Sequence, residues 1–251
     1  MKKLVVLGGG ISGYGSAILA RRKGFDVFLS DSGRIADRYR MKLEVWGVPY
    51  EEGGHSEERI LAASECVKSP GIPDSAPIVR KLRERGVPVI SEIEFAGRYL
   101  DGARTICITG SNGKTTTTSL VYRILRDAGC NVALGGNIGA ALLPMLPEVA
   151  PEDVAVVELS SFQLISMHKS PKIAVVTNVT PNHLDHHKDM QEYIDAKRNI
   201  LLYQTPPCRA VLGYENEISR SMQKDCKGKQ VWFTRLHDTD NGAFLRKDGM
   251  L

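Results

Sequence analysis

The sequence predicts an α/β protein built on parallel sheets. Three observations carry this expectation. Short β-branched runs alternate with longer stretches of helical spacing. Two glycine-rich turns each follow such a run and open such a stretch. Several runs are apolar throughout, as expected of strands covered on both faces by helices.

In the first half, residues 5–7, 27–30, 66–68 and 87–90 read as strands, and residues 12–23, 36–46 and 76–85 as helices. A second cycle starts near Arg104, with strands at 105–109, 131–134, 154–158 and 173–178 and helices at 114–128 and 190–203. Residues 209–212 and 230–234 read as the last two strands, and 241–250 carries no clear pattern. The domain boundary is expected near residues 98–102, where a helical segment gives way to Asp101-Gly102.

The bulk properties narrow the field. A length of 251 residues suits two ordinary domains. With 42% hydrophobic and 25% charged residues, the chain reads as soluble and globular, not disordered. The net charge of +4 is a small difference between 33 basic and 29 acidic residues, and no basic run accompanies it, so no nucleic-acid partner is expected. The five cysteines are scattered and odd in number, which reads as reduced thiols of a cytoplasmic protein. Leu4-Val5-Val6-Leu7 is cut off by Gly8, well short of the roughly 7–15 apolar residues of a signal core. No run approaches the ~20 residues of a membrane helix, so no membrane partner is expected either.

Gly8-Gly9-Gly10-Ile11-Ser12-Gly13 fits G-x-G-x-x-G between a strand and a helix. Glycines permit a tight turn and let backbone N–H groups reach a phosphate at the helix N-terminus. Asp31 follows at the end of the next strand, placed either to accept from a ribose hydroxyl or to sit in solvent. Thr109-Gly110-Ser111-Asn112-Gly113-Lys114-Thr115-Thr116 is a second such turn. Gly113, Lys114 and Thr115 supply the parts of a P-loop: backbone donors for phosphates, a lysine for the terminal phosphates, a hydroxyl for Mg²⁺. Ile108 stands where the general pattern wants its first glycine, so the loop is a compact variant. The two turns together predict a Rossmann-like domain at 1–99 and a P-loop-type α/β central domain at 100–251.

Glu158 ends an apolar strand, and His183, Asp185, His186 and His187 follow another. In parallel sheets such groups gather at the carboxyl edge, beside the phosphate loop. Glu158 and Thr115 suit Mg²⁺, which prefers oxygen ligands. Residue chemistry leaves His183 open between ligand and loop residue, favours solvated loop positions for His186 and His187, and disfavours zinc for want of a second ligand cluster.

At this point the sequence resembles the Mur ligases. The segments 109–116, Gly135-Gly136-Asn137-Ile138-Gly139, 158–164, 178–185 and Asp195-Ala196-Lys197-Arg198 occur in that family's order. Glu158-Leu159-Ser160-Ser161-Phe162-Gln163-Leu164 and Ser69-Pro70-Gly71-Ile72 look like the branch that adds D-glutamate. The resemblance implies an ATP- and Mg²⁺-dependent ligase of cell-wall (peptidoglycan) precursor synthesis. It would add D-glutamate to UDP-N-acetylmuramoyl-L-alanine through an acyl phosphate, as a cytoplasmic monomer. It assigns Gly110, Ser111, Asn112, Gly113, Lys114, Thr115 and Thr116 to ATP, and Lys114, Glu158, His183 and Lys197 to catalysis. Thr115, Glu158, His183 and Lys197 would hold metal, Lys197 as a carbamate. By residue type alone Lys197 reads as an exposed helix lysine. Ile11, Ser12, Asp31, Ser32, Ser69, Gly71, Asn137 and His183 are assigned to the UDP-substrate.

Relatives in that family carry a third, C-terminal domain that holds the amino acid and closes over ATP. The resemblance implies that it is absent here, together with residues for adenine and ribose. The chain alone is then expected to bind the UDP-substrate but to be a poor ligase. Another member of the family, such as the L-alanine-adding one, and a non-catalytic UDP-sugar-binding fragment remain as alternatives, with an NAD oxidoreductase behind them.

Overall fold

A computed structural model describes residues 1–100, 104–137, 150, 152–181 and 187–246. The described residues divide into two compact units, residues 1–100 and residues 104–246.

The first unit is a five-stranded parallel sheet in the order β3-β2-β1-β4-β5. Its strands are β1 (Lys3–Leu7), β2 (Asp26–Ser30), β3 (Tyr50–Glu51), β4 (Glu65–Lys68) and β5 (Val89–Ser91). Apolar runs make β1 and β2 the core, with Leu4 to Leu7 all buried. Helix α1 (Ile11–Arg22) buries every residue from Gly13 to Ala20, because glycines, Ser16 and alanines let it press close to the sheet. Arg21 and Arg22 in its last turn suit the negative end of the helix dipole. Helices α2 (Asp37–Val45), α3 (Glu57–Leu61), α4 (Pro77–Glu84) and α5 (Glu92–Gly97) complete the unit. Helix α4 starts with Pro77 in its first turn, and Ile78, Val79 and Leu82 form its buried stripe.

The second unit is a seven-stranded parallel sheet in the order β12-β11-β10-β9-β6-β8-β7. These are β6 (Arg104–Thr109), β7 (Val132–Gly136), β8 (Val154–Glu158), β9 (Ile173–Val176), β10 (Arg209–Gly213), β11 (Lys229–Thr234) and β12 (Gly242–Phe244). Helices α6 (Lys114–Asp127), α7 (Ser161–Leu164), α8 (Met190–Leu202) and α9 (Glu217–Ser221) accompany them. Strand β6 lies inside the sheet: Ile108 pairs with Glu158 on one side and Thr109 with Val176 on the other. No described helix is long and apolar enough to cross a membrane.

The α/β class and the parallel sheets match the expectation from the sequence. Several details differ. Strand β9 stops at Val176, not at 178, because Thr177 and Asn178 turn to bond the phosphate loop. Strand β5 starts at Val89, because Pro88 has no N–H to give the ladder and contributes only its carbonyl, to Cys66. Residues 230–234 are followed by a further strand, β12, inside the stretch that showed no pattern.

Candidate functional site

In the first unit the glycine turn lies where strand order reverses, between β1 and β4, the usual place for a ligand crevice in an open parallel sheet. Gly8 adopts φ +95°, and a Cβ on Gly13 would stand 1.7 Å from the Gly8 carbonyl oxygen. The turn therefore cannot accept side chains there. Ser69 donates its N–H to the Leu7 carbonyl at 3.0 Å, which brings the end of β4 against the turn. Its hydroxyl is buried without a hydrogen-bond partner among the described residues, close beside Gly8 and Gly13. The Asp31 carboxylate accepts from the Gly9 N–H at 2.5 Å and the Gly33 N–H at 2.7 Å. Ser12 is half-buried and reaches Glu92 at 3.5 Å. Ile11, Ser32 and Gly71 are exposed.

In the second unit β6 feeds Gly110, Ser111, Asn112 and Gly113 into α6. Gly110 has φ +150°, and a Cβ there would meet Thr177 Oγ1 at 1.9 Å. Gly113 caps the helix in the left-handed region at φ 81°. The loop is laced to the segment after β9: Ser111 N–H donates to the Asn178 carbonyl at 2.8 Å, and Asn112 N–H to Asn178 Oδ1 at 3.0 Å. Thr177 Oγ1 donates to the Asn112 carbonyl at 2.7 Å. The Ser111 hydroxyl donates to the Thr180 carbonyl at 2.9 Å and lies 3.0 Å from the Tyr193 hydroxyl.

Four expected side chains converge on this loop. Lys114 Nζ folds back onto the Ser111 carbonyl at 3.0 Å. Thr115 Oγ1 donates to Glu158 Oε2 at 2.7 Å, while Asn137 Nδ2 donates to Glu158 Oε1 at 3.0 Å. Glu158 is only 1% exposed. Lys197 is also 1% exposed, which corrects its reading as an exposed helix lysine. Its Nζ donates to the Gly110 carbonyl at 3.1 Å and lies over the Tyr193 ring. Among the described residues no carboxylate pairs with it. Burial, and then the charge of Lys114, push its pKa down to about 7. Thr116 is exposed at the start of α6. His183 and His186 lie outside the described residues.

His187 corrects another expectation, because it is buried and not solvated. Its Nε2 lies 2.9 Å from Ser161 Oγ and its Nδ1 3.3 Å from Glu192. Phe162 stacks on its ring and Tyr193 meets it edge-on. This links α7 to α8, the helix that carries Lys197. Sequence reasoning missed Tyr193 and His187 as parts of the site's frame. Tyr193 was detectable in principle: with Ala196, Lys197, Ile200 and Leu201 it forms one helical stripe, all of it buried.

A Mg²⁺ ion requires hard oxygen donors, and the buried Glu158 carboxylate with the Thr115 hydroxyl beside it fits that requirement. Lys197 fits it only after its nitrogen has become part of an oxygen donor. Among the described residues no group of three His, Cys, Asp or Glu converges as a transition-metal site would need.

Comparison with known proteins adds to this geometry. The family model of the Mur ligase middle domain matches residues 108–248, and that of the Mur ligase MurD-like N-terminal domain matches residues 2–91. The chain is 56% identical to the UDP-N-acetylmuramoylalanine–D-glutamate ligase of Bacteroides fragilis, over 82% of this chain and 46% of that protein. It is 42% identical to the ligase of the same name from Christiangramia forsetii, over 100% of this chain and 57% of that one. The chain thus spans about half the length of the curated relatives it matches. In fold it is similar to the UDP-N-acetylmuramate:L-alanyl-gamma-D-glutamyl-meso-diaminopimelate ligase of Neisseria meningitides. The TM-score is 0.68 at 20% identity, covering 93% of this chain and 78% of the other.

Proposed function

Because the chain belongs to the Mur ligase family, we propose that it serves ATP-dependent addition of D-glutamate to UDP-N-acetylmuramoyl-L-alanine in peptidoglycan precursor synthesis. Residues 1–99 form the UDP-substrate domain and 100–251 the ATP domain. The names of relatives up to 56% identical support the choice of D-glutamate over other amino acids. ATP and UDP-sugars are cytoplasmic metabolites, so the protein acts in the cytoplasm, and it acts as a monomer.

The chemistry follows from the reactants. A carboxylate is a poor acyl donor, because oxide is a hopeless leaving group. Transfer of the terminal phosphoryl group of ATP to the substrate carboxylate forms an acyl phosphate. The D-glutamate amine then attacks the acyl carbon, the amide bond forms, and phosphate leaves. The first step brings two anions together, and Lys114 neutralises the transferring phosphoryl group. The N-terminus of α6, behind Gly113, cradles the phosphates with its backbone N–H groups, the Gly110-Ser111-Asn112 segment sets the turn, and Thr116 stands at the same helix start. Mg²⁺, when bound, supplies further neutralisation of the phosphate oxygens. Thr115 and Glu158 would hold it, with His183 and Lys197 at a second metal position. Asn137 orients Glu158. Ile11, Ser12, Asp31, Ser32, Ser69 and Gly71 line the UDP side, where the unpartnered Ser69 hydroxyl suits a diphosphate oxygen.

One observation carries this reading: Lys197 is buried under the phosphate loop with no described carboxylate to balance it. A cation there is costly. A pKa near 7 leaves much of the amine neutral, and a neutral amine adds CO₂ to give a carbamate with release of one proton. The product is an oxygen donor in place of a cation. The test is ¹³C NMR of the chain in ¹³C-bicarbonate. A carbamate resonance that disappears in Lys197→Met, together with UDP and ATP binding by calorimetry, is the expected result. No carbamate and no binding of either nucleotide would defeat the proposal.

A further inference from the structure

The carboxyl edge of the first sheet holds a second polar cluster, outside the residues assigned so far. Ser30 ends β2 and is fully buried. Its hydroxyl oxygen lies 2.6 Å from Glu51 Oε1 and 2.6 Å from His55 Nδ1. Ser56 donates its N–H to Glu51 Oε1 at 2.8 Å and its hydroxyl to Oε2. Burial acts to raise the Glu51 pKa, but the hydrogen bonds from Ser30 and Ser56 outweigh it and hold the carboxyl below its ordinary value.

Counting protons fixes the direction of these bonds. The ionised Glu51 accepts only, and a serine hydroxyl has one proton to give. Ser30 gives it to Glu51, so the bond between Ser30 and His55 needs a proton on His55 Nδ1. The result is a one-way array from imidazole to hydroxyl to carboxylate. It is anchored to the loop that follows β2. Asp31 donates its N–H to the Glu51 carbonyl at 3.1 Å, and Gly53 donates to the Gly33 carbonyl at 3.0 Å. The Asp31 carboxylate in turn grips Gly9 and Gly33. Glu51, His55 and Ser30 therefore hold residues 31–33 and, through them, the glycine turn.

We propose that Glu51 and His55 are positioning residues for the nucleotide end of the substrate, with His55 locked as the Nδ1–H tautomer. This rests on reading the first unit as the UDP-binding one. The array pre-forms the 31–33 loop, which spares ordering entropy when the nucleotide binds.

UDP itself is the probe, titrated by calorimetry into the 251-residue chain and its His55→Leu and His55→Asn variants. Loss of one neutral hydrogen bond should weaken UDP about 3- to 10-fold in His55→Leu. In His55→Asn the amide N–H takes the Nδ1 place, and affinity should return to within about twofold. Long-range ¹⁵N–¹H correlation on the wild-type chain should show the Nδ1–H form of His55; this measurement needs no variant. Unchanged affinity in His55→Leu overturns the inference. So does an asparagine variant as weak as the leucine one, or an Nε2–H tautomer. A wild-type chain that ignores UDP removes the UDP reading itself, and the inference with it.

Discussion

The two glycine turns have the same plan, strand then turn then helix, yet they present different groups. The first works through its backbone. Gly8, Gly9 and Gly13 are fixed by contact, with no room for a Cβ at Gly13, and its following helix is buried over eight successive residues. An acidic side chain, Asp31, grips it from outside the turn. The second turn projects side chains. Gly113 only sets the angle at which Lys114 and Thr115 leave, and in α6 Thr118 alone is fully buried. Glu158 and Lys197 arrive from other strands and helices to meet them. A turn that only grips a ligand needs shape, whereas one that also activates a phosphate needs charge and hydroxyl groups brought from elsewhere.

The largest test of this contrast is Lys114→Ala. Made in a full-length ligase, this loss of one preorganised electrostatic contact should cut substrate-dependent ADP release by about 10²–10³-fold. UDP affinity, measured by calorimetry, should not move. If ADP release survives, the second turn is not the reactive one.

Next comes Gly13→Ala. A Cβ 1.7 Å from the Gly8 oxygen forces the helix or the turn to move. Overpacking of this kind costs about 1–3 kcal/mol, occasionally more. Chemical denaturation should show the first unit weakened and UDP binding lost, while ATP binding persists. Alanine at Gly10, where a Cβ meets nothing, should be tolerated and serves as the control.

Lys197 makes the second unit sensitive to pH in a way the first is not. Its folded pKa of about 7 lies below its unfolded value of 10.5. Between those values the unfolded chain binds a proton that the folded one does not, so stability rises with pH. It falls again as pH drops toward 7, by up to about 1.4 kcal/mol per pH unit. Urea titrations in CO₂-free buffer, kept below the ordinary thiol value of 9.0 so that the buried cysteines do not contribute, should show this rise in the wild-type chain and lose it in Lys197→Met.

The smallest effect is expected for Asp31→Asn. It keeps the shape but removes one of the two acceptors used by Gly9 and Gly33, a loss of about 1 kcal/mol in UDP binding. Equal affinity for UDP in the variant would mean that the glycines alone hold the turn.

How much of this was legible beforehand varies with the physics of each element. Long apolar strands such as 154–158 and helices with clear periodicity were readable. Two- and three-residue strands, β3 and β12, were not, because pairing partners rather than their own residues make them strands. The single-turn helix α7 carried a signal that went unused: Ser160 and Gln163 form a capping box, visible as S-x-x-Q. In the site, Lys114, Thr115 and Glu158 follow from residue chemistry. The burial of Lys197 and His187 does not, since both are polar residue types that normally face water. Only the company they keep, a helical stripe for one and an aromatic sandwich for the other, places them inside.

The position of β6 in the sheet has a consequence for how the molecule is made. The strand that carries the phosphate loop is the first of its sheet to be synthesised, but both of its neighbours come later. Thr109 waits for Thr177, which bonds to it across 68 positions. Emerging from the ribosome, β6 thus has two open edges until β8 and then β9 have left the exit tunnel, a long-range closure that is slow and exposed to aggregation. The strand behind the phosphate loop is therefore left open while everything through β9 is made, and this is the step at which a chaperone would matter most.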